Sequence, residues 1–178
     1  MRLFITINMS SQVKEEIVNL MPNIKLKFQG GRWVPKENMH ITMLYLGEVP
    51  DEKLGSVDKA MFEAIKGIDP FELWVEGIGA FPNTKKPNIL WAGVQGELKF
   101  LIKLYRQLLK EVQNEGLPYD AKPHFKPHLT LARKISTIAN DDDIFLKTSS
   151  WRVDSLELYQ SIFINGGVKY KRLLSKKF

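Results

Sequence analysis

Hydrophobic positions along this chain alternate between a spacing of two and a spacing of three to four, which divides it into strands and helices. Met1-Arg2-Leu3-Phe4-Ile5-Thr6-Ile7 reads as an opening strand. Val13, Ile17 and Leu20 then share one side of a helix that Ser10 or Ser11 can cap and that weakens near Pro22. Residues 23–31 are basic and loop-like, with Gly30-Gly31 as a breaker, and Arg32-Trp33-Val34-Pro35 leads into a strand from Met39 to Gly47. Leu54, Val57, Met61, Ala64 and Ile65 recur at helical spacing between Pro50 and Gly67. Two strands follow, Phe71 to Glu76 and Ile89 to Val94, across a turn at 83–88. The clearest helix carries Leu98, Leu101, Ile102, Tyr105, Leu108, Leu109 and Val112 as one stripe and is stopped by Gly116 and Pro118. A strand begins at Pro127, and a polar loop occupies Asn140 to Asp143. One long strand is expected from Trp151 to Ile164, and a last one from Val168 to Leu174 after the turn Asn165-Gly166-Gly167. This order predicts an α+β fold with mostly antiparallel, helix-backed strands. No linker rich in Gly, Ser or Pro marks a boundary, so residues 1–178 are expected to form one domain.

Within this pattern one polar signature occurs twice. His40-Ile41-Thr42-Met43 is repeated as His128-Leu129-Thr130-Leu131, a separation of 88 residues in a chain of 178. On a strand, alternate side chains share a face, so each histidine sits beside its threonine. A single His-x-Thr is ordinarily a packed or surface pair. Two copies in matching strands, half a chain apart, point to a duplicated lobe and a shared site. Each motif strand is then expected at the centre of its own sheet, the two facing each other across a cleft.

Two imidazoles so placed suit in-line displacement at phosphorus, which needs a base on the attacking side and an acid on the leaving side. The Thr42 and Thr130 hydroxyls would meet non-bridging phosphate oxygens, where charge accumulates. Arg133 could add a cation. Strict alternation places Arg133 on the face opposite His128 and Thr130, and it reaches the cleft only if the strand ends, twists or bulges first. His124 and His128 have the i, i+4 spacing of helical metal ligands, but Pro123 and Pro127 argue against a helix, so neither a metal nor another cofactor is expected. His124 belongs to the loop before the strand, with a secondary substrate contact possible there. Trp33, Tyr45, Trp91 and Phe125 are candidates either for base stacking or for the core.

Composition narrows the setting. The 44% hydrophobic and 26% charged content is that of an ordinary globular protein. No apolar run approaches the roughly 20 residues that cross a bilayer, and the opening strand lacks the pattern of a signal peptide. With no cysteine, disulfides, thiolate catalysis and zinc ribbons are excluded. A cytoplasmic protein is expected, with no membrane partner. The net charge of +6 suits a polyanion such as RNA or DNA, and equally a lysine-rich soluble surface.

These residues resemble the two-histidine (2H) phosphoesterase superfamily, and within it the RNA 2′,3′-cyclic phosphodiesterases, also called 2′-5′ RNA ligases or LigT-like proteins. The resemblance runs from Arg2-Leu3-Phe4-Ile5 through Arg32-Trp33-Val34-Pro35 and His40-Ile41-Thr42, with Tyr45 where phenylalanine is usual. It continues through Gly79, Phe81, Pro82 and Leu90-Trp91-Ala92-Gly93-Val94, takes in the whole of Pro127 to Arg133, and ends at Leu158-Tyr159-Gln160-Ser161 and Tyr170. It implies a bilobal fold of pseudo-twofold symmetry, with the cleft between lobes. It implies hydrolysis of RNA 2′,3′-cyclic phosphate ends to 2′-phosphates, and reversible, ATP-independent 2′-5′ joining of tRNA-like halves. It also implies that His40 donates a proton, that His128 accepts one, and that Thr42, Thr130 and Arg133 contact phosphate. Approximate symmetry leaves the residues themselves silent on which histidine is which. Two other readings stand beside this one: a phosphodiesterase for another 2′-linked or cyclic nucleotide, and a non-catalytic RNA-binding module. Nothing points to an obligatory protein partner, and a monomer is expected.

Overall fold

The pairing of two residues, Ile41 and Leu129, organises the fold seen in the computed structural model, which describes residues 1–83, 86–120, 124–138 and 144–178, main chain alone at 86 and 136–138. The tip of the expected turn at 84–85 and the expected loop at 140–143 lie outside the described residues. The elements are β1 (Arg2–Ile7), α1 (Ser11–Lys25), β2 (Phe28–Trp33), β3 (Ile41–Glu48), α2 (Leu54–Ala64), β4 (Phe71–Asn83), β5 (Lys86–Gly96), α3 (Leu98–Asn114), β6 (His128–Ile138), β7 (Trp151–Val153), β8 (Ser155–Ile164) and β9 (Gly167–Lys177). Every strand pairing among the described residues is antiparallel, in the order β7-β4-β5-β6-β3-β1-β8-β9, with β2 beside β6. The fold is α+β, as the alternating periodicities predict.

The strand order is symmetric about its middle. One half reads β3-β1-β8-β9 outward, the other β6-β5-β4-β7. Among the described residues, the strand ladder that joins the halves is the pair of Ile41 of β3 with Leu129 of β6. The two expected sheets are thus two four-strand halves of one curled network. Their motif strands lie side by side at its centre, rather than each inside a separate sheet facing the other. Ile41 and Leu129 are buried apolar residues, and pairing them closes the core beneath the junction. The outer ends also meet, because Asp154 alone separates β7 on one flank from β8 on the other. The run expected as one strand from 151 to 164 is therefore two strands that serve opposite halves. The backbone N–H of Phe178 donates to the Asp154 carbonyl, and the Phe178 ring stacks on Phe71 of β4 at 6.2 Å.

The helices follow their apolar stripes. Ser10 caps α1 through its hydroxyl, which accepts from the Val13 N–H at 3.2 Å. The helix runs past Pro22 to Lys25 because Met21 and Ile24 remain buried, and Leu20, expected on the inner face, is only partly buried. On α3, Leu101, Leu104, Tyr105, Leu108 and Val112 face the core. The expected loop at Gly30-Gly31 is instead part of β2, which hydrogen-bonds to β6. Gly31 has a φ of +92°, a conformation that favours glycine, and a Cβ there would also lie 2.5 Å from the tip of the Ile135 side chain.

A β-bulge follows each motif. In the β1–β3 ladder, Thr6 pairs with Thr42 and Ile5 with Leu44, leaving Met43 as an extra residue. In the β5–β6 ladder, Trp91 pairs with Thr130 and Leu90 with Ala132, leaving Leu131 extra. Met43 and Leu44 are consequently both buried, as are Leu131 and Ala132. Each bulge reverses the alternation after its threonine.

Candidate active site

Since Ile41 and Leu129 point into the core from adjacent strands, the residues on either side of them point out together. Antiparallel register sets His40 beside Thr130 and Thr42 beside His128. The two imidazoles therefore occupy diagonal corners of a four-residue square. The bulges then return Tyr45 and Arg133 to this same surface, each five residues past its histidine. Above the square lies a cleft with two chambers of about 260 and about 160 Å³. Thr42, Tyr45, Thr130 and Arg133 line both chambers, His128 lines the larger and His40 the smaller. A group resting on the threonines and the arginine thus has one imidazole on each side.

Both rings are held the same way. The Nδ1–H of His40 donates to the Asn38 carbonyl at 2.7 Å, and that of His128 to the Lys126 carbonyl at 2.7 Å. With Nδ1 used in this way, the neutral form of each ring carries its acceptor lone pair on Nε2. At His40, Nε2 accepts from the Thr42 hydroxyl at 3.1 Å. Aromatic rings wall each imidazole: Phe4 at 5.1 Å and Tyr170 at 5.3 Å around His40, Phe81 at 5.2 Å and Trp91 at 6.3 Å around His128. Trp91 fits because its cross-strand partner is Gly79, where a Cβ would lie 2.2 Å from the indole. Lys126 caps the indole 4.1 Å from its centroid.

His40 is half-buried as a residue, but its ring is packed on both sides. That desolvation is the main cause that pulls its pKa down to about 4. The hydrogen bond to Asn38 opposes the fall, while Lys14, Arg133 and His128 add to it. At neutral pH a pKa this low makes His40 an uncharged imidazole. Its pKa lies below the unfolded value near 6.5, so the unfolded chain binds more protons between those limits. Stability should therefore fall as pH drops from about 6.5 to 4.

This geometry can be set beside known proteins. The profile of the family described as LigT like phosphoesterase matches residues 7–91. The RNA 2′,3′-cyclic phosphodiesterase of Archaeoglobus fulgidus is 34% identical over 97% of this chain and 98% of its own length. The chain belongs to the LigT-like phosphoesterases. The RNA 2′,3′-cyclic phosphodiesterase of Thermotoga maritima is 30% identical over 100% of this chain and 96% of its own. The crystal structure of E. coli LigT complexed with 3′-AMP superposes with a TM-score of 0.81 at 25% identity, covering 99% of this chain and 97% of that one.

In this LigT-like phosphoesterase all five residues singled out from the sequence, His40, Thr42, His128, Thr130 and Arg133, line one cleft. Arg133 arrives there by the bulge at Leu131, the route that alternation alone denies it. Tyr45, Phe125 and His124 line the cleft as well. Trp91 backs His128, and Trp33 packs on Phe28 at 6.3 Å beneath Lys25. Sequence reasoning missed Phe4, Asn38 and Tyr170, which build the wall and the tether of His40. A usable signal was the place of each histidine at a strand start, where the carbonyl two residues back is free to accept.

Proposed function

We propose that this protein hydrolyses RNA 2′,3′-cyclic phosphate ends to 2′-phosphomonoesters by acid–base catalysis between His40 and His128, without a metal. The observation that carries this reading is the pair of tethered imidazoles in adjoining chambers, with Thr42, Thr130 and Arg133 between them. The names of the relatives, RNA 2′,3′-cyclic phosphodiesterase, support the substrate.

The phosphoryl group rests on the two threonine hydroxyls and the Arg133 guanidinium, which hold its non-bridging oxygens as charge builds up. His128 Nε2 takes a proton from water, whose oxygen forms a new bond to phosphorus. The bond from phosphorus to O3′ breaks on the opposite side, and His40 Nε2 delivers its proton to that oxygen. The phosphate remains on O2′. If a 5′-hydroxyl replaces the water, the same steps join two RNA ends through a 2′-5′ linkage, and no ATP is consumed. Product identity tests the reading. The expected product is an RNA with a 2′-phosphate end, formed in excess chelator. A 3′-phosphate end, or activity lost to chelator and restored by zinc, would overturn it.

The donor role requires His40 to carry a proton that a pKa of about 4 denies it at neutral pH. A phosphate anion offsets the nearby cations and raises the pKa of the ring. A ring whose pKa is held low is also a strong acid once it is protonated. We expect the His40 imidazole resonances to titrate near pH 4 without ligand and at clearly higher pH with a 2′-nucleotide bound. A midpoint that stays put on binding would remove His40 from the donor role.

A further inference from the structure

We infer that Phe163 and Arg2 form a docking platform for the RNA nucleotide immediately 5′ of the cyclic-phosphate end, an inference that rests on the function proposed above. Alternation extends the floor of the smaller chamber outward. Ser161 lines that chamber, and Phe163 is two residues further along the same face of β8. Phe4 lines it too, and Arg2 is two residues back along β1. The Arg2 guanidinium lies 5.2 Å from the Phe163 ring centroid and 5.8 Å from that of Tyr45, and its Nε donates to the Tyr45 hydroxyl. The result is a ring–guanidinium–ring stack that leads from the cleft wall to open solvent.

Phe163 is 67% exposed and its neighbour Ile164 54% exposed. A large ring left in water beside an arginine, in continuity with a catalytic cleft, has the features of a stacking surface for single-stranded RNA. Charge agrees with this occupant: Lys169 and Lys171 of β9 lie opposite Ile162 and Gln160 of β8 at the Phe163 end of the ladder, while Arg172 and Lys176 farther along pair with Glu157 and Asp58. Glu48, which pairs with Arg2 across β1 and β3, stands 3.8 Å from the N-terminal ammonium, which shares its charge. Besides Nε, the Arg2 fork has no hydrogen-bond partner among the described residues and can meet a phosphate. The platform is also tied to the chemistry. Val168, the cross-strand partner of Phe163, accepts a hydrogen bond at 3.0 Å from the side chain of Asn38, whose own carbonyl holds His40.

The test compares kcat/KM for a mononucleoside 2′,3′-cyclic phosphate with that for a dinucleotide ending in the same group. The wild-type protein should favour the dinucleotide. Phe163→Ala should cut kcat/KM for the dinucleotide about 5- to 100-fold, as loss of one stacked base predicts, and leave the mononucleoside within about twofold. Phe163→Trp should keep the preference. Mononucleoside turnover without any preference for the dinucleotide, or equal losses on both substrates, would overturn the platform while leaving the proposed activity standing. A wild-type protein inert toward both would overturn the two together.

Discussion

Replacing His128 with alanine is expected to lower kcat on RNA 2′,3′-cyclic phosphate ends at least about 100-fold, and replacing His40 to do the same. The magnitude follows from what each ring supplies. A positioned acid or base contributes about 10² to 10⁴ in rate, and each ring has Nδ1 tethered to a carbonyl, which makes Nε2 the nitrogen that the proposed reaction uses. In the proposed displacement the two groups act together, so the double variant should lose little more than the worse single one. His40→Ala also removes a ring packed between Phe4 and Tyr170, so its thermal unfolding should be measured beside its rate. The edge contacts at His128 come from Phe81 and Trp91, which also pack on each other at 5.3 Å, so that wall has support when His128 is truncated. Near-wild-type turnover by either folded variant would end the two-histidine mechanism.

Arg133→Met is the second large effect. If Arg133 is the phosphate contact proposed above, removing this charged donor should cost about 10² to 10³ in kcat. The same change takes away one of the cations that lower the pKa of His40, so the His40 midpoint should move up from about 4. A merely structural arginine would leave kcat in the folded variant unchanged, although its charge would still act on His40. Lysine should restore the charge more than the rate, because it lacks the planar fork that engages two oxygens at once. Full activity in Arg133→Met would place the phosphate elsewhere in the cleft.

Much of this architecture could be read from the sequence. The alternation around Ile41 and Leu129, the Ser10 cap and the stripe of α3 are local patterns, and local physics sets them. The readings that changed depended on partners distant in sequence. Gly30-Gly31 breaks a chain considered alone, but β6 supplies the ladder that makes those residues part of a strand. Trp151 to Ile164 alternates as one strand, yet β4 claims its beginning and β1 its end. The motif strands were expected to face each other because nothing in either one announces that Ile41 will pair with Leu129. The position of Arg133 did leave a trace. Met43-Leu44 and Leu131-Ala132 are two consecutive apolar residues after each threonine, and a strand with one side open to a cleft buries both by bulging.

The strand order also bears on how the molecule is made. β1 is flanked by β3, which follows soon after it, and by β8, which pairs Thr6 with Glu157. Until that distant segment has been synthesised, one edge of β1 stays open and the first lobe is a template without its complement. Folding should therefore proceed with a late, long-range closure and be slow for the size of the chain. Cleavage between α2 and β4 should yield two fragments that fold only when they are mixed.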